Sequence, residues 1–238
     1  MDITQWYAHI NDTLQSDDSN AHNTLLHAVE DCAHRTMFDL HEELLLKSAE
    51  YGRVELIGKI LRFFPVLHEN VVVSYAISEA ARKGQSQIIE ALLPHRCTEY
   101  TCSLALEEAA ARGHVECVTT LIPFSDCMGY NSQAFRHAAQ RNRLECVKIL
   151  LPYSDPCAGN AEALQYACSH RNTEMIDLLF PLHSLEQIKN AVEEMNNSVG
   201  QEFTQDDADF LQQMYSKSLL QSAVKEHIPS VVKMPHKI

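Results

Sequence analysis

The chain has 238 residues, 45% of them hydrophobic, and carries 32 acids against 19 lysines and arginines, a net charge of −13. That balance argues against a general binder of nucleic acid or anionic membrane. No apolar run approaches the roughly 18 residues that a membrane span needs, and only 7 Gly and 8 Pro argue against a many-turned all-β protein.

The acidity is concentrated early. Residues 1–50 hold ten acids against Arg35 and Lys47. The first residues lack a basic stretch followed by an apolar one, so no secretory signal is expected. A helix is predicted around Thr4–Leu14, then a polar loop over Gln15–Asn20. Helical apolar spacing resumes at Leu25, Leu26 and Val29, and again at Met37, Leu40, Leu44 and Leu45. Residues 1–43 therefore read as an acidic helical N-terminal cap. An atypical terminal unit is what a solenoid needs, because one of its faces meets water.

From residue 44 one unit is written several times. Pro65, Pro94, Pro123, Pro152 and Pro181 stand 29 residues apart, and such self-similarity is the signature of a repeat architecture. The segments Tyr75–Pro94, Leu104–Pro123, Gln133–Pro152 and Glu162–Pro181 align without gaps. An earlier one, Leu44–Pro65, is about three residues longer. Each holds two apolar stripes at i, i+3, i+4, one helical face apiece. The first runs Ile77/Ala80/Ala81, Leu106/Ala109/Ala110, Phe135/Ala138/Ala139 and Leu164/Ala167/Cys168. The second runs Ile89/Leu92/Leu93, Val118/Leu121/Ile122, Val147/Leu150/Leu151 and Ile176/Leu179/Phe180. Between the stripes sits a breaker: Gly52, Gly84, Gly113, Asn142, Arg171. Gly and Asn accept the left-handed conformation that ends a helix, and the proline stops the second helix. Ser74, Ser103 and Ser132 precede the first stripes and are expected as N-caps. The unit is helix, tight turn, helix, loop. One such hairpin buries too little alone, so neighbours must share their seams.

The eight cysteines include no C-x-x-C pair, which removes the usual local zinc spacing. Ile88, Cys117, Cys146 and Met175 fill one slot of the repeat, so the thiols there read as packing atoms. Reduced, packed thiols and an intracellular, cytoplasmic setting are expected.

The segments Leu106–Ile122 and Phe135–Leu151 resemble the ankyrin repeat. The likeness lies in the Ala-Ala pair, the Gly113-His114 turn and the Val/Leu-rich second helix. Thr24-Leu25-Leu26-His27 looks like a variant of that family's opening, so a degenerate repeat at 24–43 is an alternative within the cap. The departures are a period of 29 in place of 33, no Thr-Pro in the clear units, and Pro123-Phe124-Ser125-Asp126 or Pro152-Tyr153-Ser154-Asp155 where a hairpin finger is usual. Short linkers are expected there. The shortened form resembles ankyrin proteins of intracellular bacteria, protists and large viruses, which leaves a host-directed effector, delivered without a signal peptide, as one reading. The fold expected is all-α, an ankyrin-type helical-hairpin solenoid. Five repeats span 44–182, a C-terminal helical cap or docking helix spans 183–228, and a tail with Pro229 and Pro235 follows over 229–238.

The resemblance implies a non-enzymatic protein-binding module that uses its concave face. The two variable residues before each breaker belong to that surface. They are Glu50-Tyr51, Arg82-Lys83, Ala111-Arg112, Gln140-Arg141 and Ser169-His170. One column reads Tyr51, Lys83, Arg112, Arg141, His170, a ladder of mostly basic residues on an acidic protein. With Arg82, Gln140 and Tyr166 it forms the candidate contact ridge for an acidic segment of a partner protein. The alternative is a column filled for solubility. A monomer is expected, with no cofactor, metal, nucleic acid or membrane partner. His41-Glu42 begins an H-E-x-x-H pattern, but Leu45 stands in the second His position. Cys32, His34, His27 and His41 form the single local metal-like grouping, and it too reads as cap packing. Two further readings stay open: a regulator or cryptic enzyme using the caps, and an acidic nucleic-acid mimic using the N-terminus.

Overall fold

The computed structural model describes residues 3–16, 18–32, 38–63, 71–95, 97–184, 186–188, 190, 191 and 216. The expectations for Met37, for Pro65, for most of the C-terminal cap and for the tail lie outside these residues. The chain divides into two compact units, Met1–Asp155 and Pro156–Ile238. Among the described residues there is no strand.

The first unit is five hairpins. Their first helices are α1 (Ile3–Gln15), α3 (Phe38–Glu50), α5 (Val71–Lys83), α7 (Glu99–Arg112) and α9 (Gly129–Gln140). Their second helices are α2 (Ser19–Cys32), α4 (Val54–Phe63), α6 (Ser86–Leu92), α8 (Val115–Leu121) and α10 (Leu144–Leu150). Each first helix packs on the next first helix, and each second helix on the next second helix, so two parallel rows run through the unit. Residues Ile3–Cys32 add a hairpin to both rows, and Thr24–His27 stand inside α2, in the second-helix row. The second unit contains the hairpin of α11 (Ala158–Ser169) and α12 (Thr173–Leu179).

The stripes form the seams. Ile77, Ala80, Ala81, Leu106, Ala109, Ala110, Phe135, Ala138 and Ala139 are all buried between first helices, and Ile89, Leu92, Val118, Leu121, Val147 and Leu150 between second helices. The alanine pairs let the first-helix backbones approach, while the larger Leu, Ile and Val fill the second-helix row.

Every breaker adopts the left-handed conformation: Gly52 at φ 70°, Gly84 at 76°, Gly113 at 86°, Asn142 at 56° and Arg171 at 52°. At each, the next residue's N–H closes on a carbonyl five residues back. Arg53 bonds Ser48, Gln85 bonds Ala80, His114 bonds Ala109, Arg143 bonds Ala138 and Asn172 bonds Ala167, all at 2.8–3.1 Å. This is the helix-ending bond of the Schellman type. The same turn also locks neighbouring hairpins. A Cβ on Gly52 would lie 2.6 Å from Gln85 Oε1, one on Gly84 would lie 2.7 Å from His114 Nδ1, and one on Gly113 would lie 2.9 Å from Arg143 Cδ. His114 Nε2 also lies 3.1 Å from the Arg82 carbonyl. His114 thus braces the turn of the hairpin before its own.

Pro123, Pro152 and Pro181 each sit in a three-residue 3-10 turn directly after the second helix. The linkers are short, and no hairpin finger occurs among the described residues.

Two expectations need correction. Ser74 and Ser103 lie inside α5 and α7 and do not cap them; Thr98 caps α7, accepting from the Thr101 N–H at 3.2 Å. Ser103 Oγ instead accepts the N–H of Asp126, and Ser132 Oγ accepts that of Asp155, both at 2.9 Å. Ser103 and Ser132 thus tie their helices to the linkers that follow their own hairpins, whereas Ser74 Oγ accepts from Thr101 Oγ1 of α7 at 3.2 Å. The second correction concerns thiols. Cys97 and Cys102 are joined, with Cα atoms 6.6 Å apart, which falls within the span a disulfide bridges.

Two stability outcomes are expected. Gly84→Ala forces a side chain into a left-handed turn and against His114, and should lower unfolding free energy by about 1–2 kcal/mol. Gly58→Ala, at an exposed position of α4 with nothing within 4 Å of the new Cβ, should raise it by about 0.5–1 kcal/mol. Denaturant titration of both variants checks the contrast. Burial holds the His41 imidazole below its ordinary pKa, so the unfolded chain takes up that proton first. Stability should fall as pH drops below about 6.5, and His41→Leu should flatten the dependence of Tm on pH between neutral and mildly acid buffer.

Candidate functional site

The breaker turns place the ladder residues at the C-terminal ends of the first helices. In the first unit these are Tyr51, Lys83, Arg112 and Arg141, with Arg82 and Gln140 beside them. Arg82, Lys83, Arg112, Gln140 and Arg141 are all exposed. A cation in the last turn also complements the negative end of the helix dipole. Tyr166 and His170 belong to the second unit, half-buried in α11 and exposed after it.

The ladder is not purely cationic. Lys83 Nζ lies 3.8 Å from Glu50 Oε1 on the preceding first helix, and Glu50 also holds Lys47 at 2.7 Å. Arg82 pairs with Glu79 one turn back, and Arg112 Nε reaches Glu108 at 3.2 Å. The hydrogen bond from Lys47 holds the Glu50 carboxyl below its usual range, and the same bond raises Lys47. Glu79 likewise raises Arg82. Among the described residues, Arg141 makes no ion pair that would neutralise it. Tyr51 is engaged by the first hairpin: its hydroxyl donates to Asn11 Oδ1 at 2.7 Å and accepts from Gln15 Nε2 at 3.3 Å. The column that reads as basic therefore folds into a ridge of alternating charge, with Tyr51 serving the N-terminal packing.

Exposed pairs of this kind are worth little individually. The Arg112 pair is exchangeable: an incoming carboxylate can take the place of the exposed Glu108 with no buried charge left behind. Glu79 and Glu108 stand three and four positions before Arg82 and Arg112, a spacing readable in the sequence as helical pairing, whereas Lys83 is answered across the repeat by Glu50.

A catalytic constellation is a different matter. A cavity of about 290 Å3 between α2 and α4 is lined by His22, Arg53, Glu55 and Lys59 among others. Its cations hold the fold: Lys59 donates to Asn23 Oδ1 at 2.6 Å, and Arg53 Nε to the Leu14 carbonyl at 2.9 Å. Among the described residues no group of three His, Cys, Asp or Glu could hold a metal. His34 and the Cys32 side chain lie outside them. No helix among them is long and apolar enough to cross a membrane.

Burial pushes the repeat-slot thiols up, Cys117 and Cys146 to about 11 and Cys168 to about 12. These thiols are packing groups and unreactive ones.

Residues 109–192 match the family model for ankyrin repeats, in three copies. That segment runs from the end of α7 through α12, and its helical hairpins are ankyrin repeats. Comparison with curated proteins returns no match. Thiol labelling of the native protein at about pH 8, followed by peptide mapping, should find Cys157 modified and Cys117, Cys146 and Cys168 untouched until the chain unfolds.

Proposed function

We propose that this ankyrin-repeat chain is a non-catalytic binding protein that engages an acidic segment of another protein along its first-helix ridge. Ankyrin repeats are in general protein–protein interaction modules. The observation that carries the finer reading is the run of exposed cations Arg82, Lys83, Arg112 and Arg141 at equivalent ends of three consecutive, directly packed helices. Stacking fixes their separation before a partner arrives, so little ordering cost is incurred on binding. Glu108, the neighbour of Arg112, is exposed and replaceable, and Arg141 has no such neighbour to displace. The ridge selects carboxylates at repeating intervals, as an acidic helix or an extended acidic stretch would present them.

The protein acts in this reading as a rigid monomeric adaptor, and delivery into a host cell is one setting in which such an adaptor would work. Arg136 and His137 are set further back on α9. His137 Nδ1 lies 2.9 Å from Glu107 Oε1, and Gln133 donates to the same oxygen at 2.9 Å. These contacts hold α9 against α7 and are not offered to a partner.

The partner is captured from cells on the immobilised full chain and then purified to reconstitute the complex. Arg112→Glu combined with Arg141→Glu should weaken it by at least about tenfold through reversed charge at two contacts. Raising ionic strength from about 0.1 to about 1 M, which shortens the screening length from about 10 to about 3 Å, should weaken the native complex and leave the residual binding of the double variant nearly unchanged. A complex indifferent to both changes overturns the ridge as the contact.

A further inference from the structure

The opposite end of the same helices carries a second feature. Glu99 and Tyr100 open α7, and Asp126, Gly129 and Tyr130 lie where the next linker enters α9. With Ser103 they line a cavity of about 200 Å3. The Tyr100 and Tyr130 rings both line it, with centroids 6.4 Å apart and planes inclined at 58°. Both side chains are open to solvent, at 57% and 63% exposure.

The walls are fixed. Asp126 Oδ1 accepts the N–H groups of Met128 at 3.1 Å and Gly129 at 2.9 Å, and the Asp126 N–H is held by Ser103. Tyr130 is the first of three successive left-handed residues, at φ 48° and ψ 39°, followed by Asn131 and Ser132. Such backbone persists where its surroundings determine it. Here the buried Ser132 anchors it from below, and Arg136 donates to the Asn131 carbonyl at 2.9 Å and the Tyr130 carbonyl at 3.4 Å. The second Asp126 oxygen points toward Gly129, where a Cβ would come within 2.9 Å of it; glycine leaves that oxygen open to the cavity. No lysine or arginine lines the cavity.

We propose that this pocket is a cage for the ammonium group of a lysine side chain, free or methylated, on a basic segment of a partner protein. Aromatic faces attract a cation through the ring quadrupole, and the Glu99 and Asp126 carboxylates add direct charge. Two rings set at an open angle suit a rounded ammonium head, whereas a planar guanidinium stacks on a parallel face. The positive end of the α7 dipole opposes a cation here, and Glu99 in the first turn offsets it. The net charge of −13 draws basic segments toward the chain. This site is separate from the ridge of the preceding section and does not depend on it.

The test titrates the full chain with three short peptides that differ at one residue: lysine, trimethyl-lysine or norleucine. Ring resonances of Tyr100 and Tyr130 report binding. Saturable shifts are expected with a cationic peptide, and affinity for norleucine should be at least about tenfold lower. Tyr100→Ala and Tyr130→Ala should each lose about three- to thirtyfold, Glu99→Gln a smaller factor, and Tyr100→Phe almost none. All three positions changed are exposed, and unchanged melting confirms an intact fold. Arg112→Glu with Arg141→Glu should bind the peptides as the native chain does, so loss of the ridge and loss of the cage are told apart. Equal binding of norleucine, or full binding by Tyr100→Ala, overturns the cage. So does saturation by choline with no response to either lysine peptide, which would assign the pocket to a lipid headgroup.

Discussion

The left-handed turn that ends the first helix of each repeat from α3 onward governs the rest of the architecture. It reverses the chain within about two residues, and it gives the next hairpin a surface to sit on. Gln85 lies over Gly52, His114 over Gly84 and Arg143 over Gly113. A side chain of one repeat therefore closes the helix end of the repeat before it. The seams of small first-helix residues and larger second-helix residues bring the hairpins together, but they are smooth and would tolerate sliding. The turn contact sets the register, because the covering side chain finds room only above the residue that lacks a Cβ. In this sense hydrophobic burial supplies the driving force and the turns supply the alignment.

Much of this was legible because repetition multiplies each signal. The proline series, the two stripes and the breaker column each recur in four or five copies, and the structure places Pro123, Pro152 and Pro181, the described stripe residues and the five breakers in equivalent surroundings. Ile88, Cys117, Cys146 and Met175 were readable as one packing slot for the same reason. What resisted reading is what does not repeat, or what depends on partners distant in sequence. The serine column looked like a set of caps, since serine before an apolar stripe usually is one; nothing local shows that Ser103 reaches a backbone N–H 23 residues later. Cys97 and Cys102 are close in sequence, but their union depends on the bend at Thr98. The ladder was visible as a column of cations, while its neutralisation required knowing that Glu50 of one hairpin meets Lys83 of the next. Tyr100 and Tyr130 occupy different slots of the repeat, so no alignment brings them together. Only the departure of Tyr130 from helical backbone does so.

The charges on the first helices are sorted along their length. Glu99 lies in the opening turn of α7 and Arg112 in its closing turn, and Arg82 and Lys83 close α5. Each arrangement favours the helix that carries it. Packed side by side, α5, α7 and α9 bring together what a single helix would only scatter: a border rich in cations at their closing ends, and, where α7 and α9 begin, one that pairs carboxylates with tyrosines. A solenoid thereby turns a local helix-stabilising habit into surfaces of opposite preference.

The breakers are also not equal. Gly52, Gly84 and Gly113 hold left-handed backbone without steric penalty, whereas Asn142 tolerates it and Arg171 is forced into it. Opening the hairpin turn at Arg171 releases strain that opening at Gly84 does not. Fraying thus has a direction built into it: the turns are most secure toward the N-terminal hairpins and most ready to let go where arginine stands in for glycine, so transient exposure of the backbone should be graded along the chain, hairpin by hairpin.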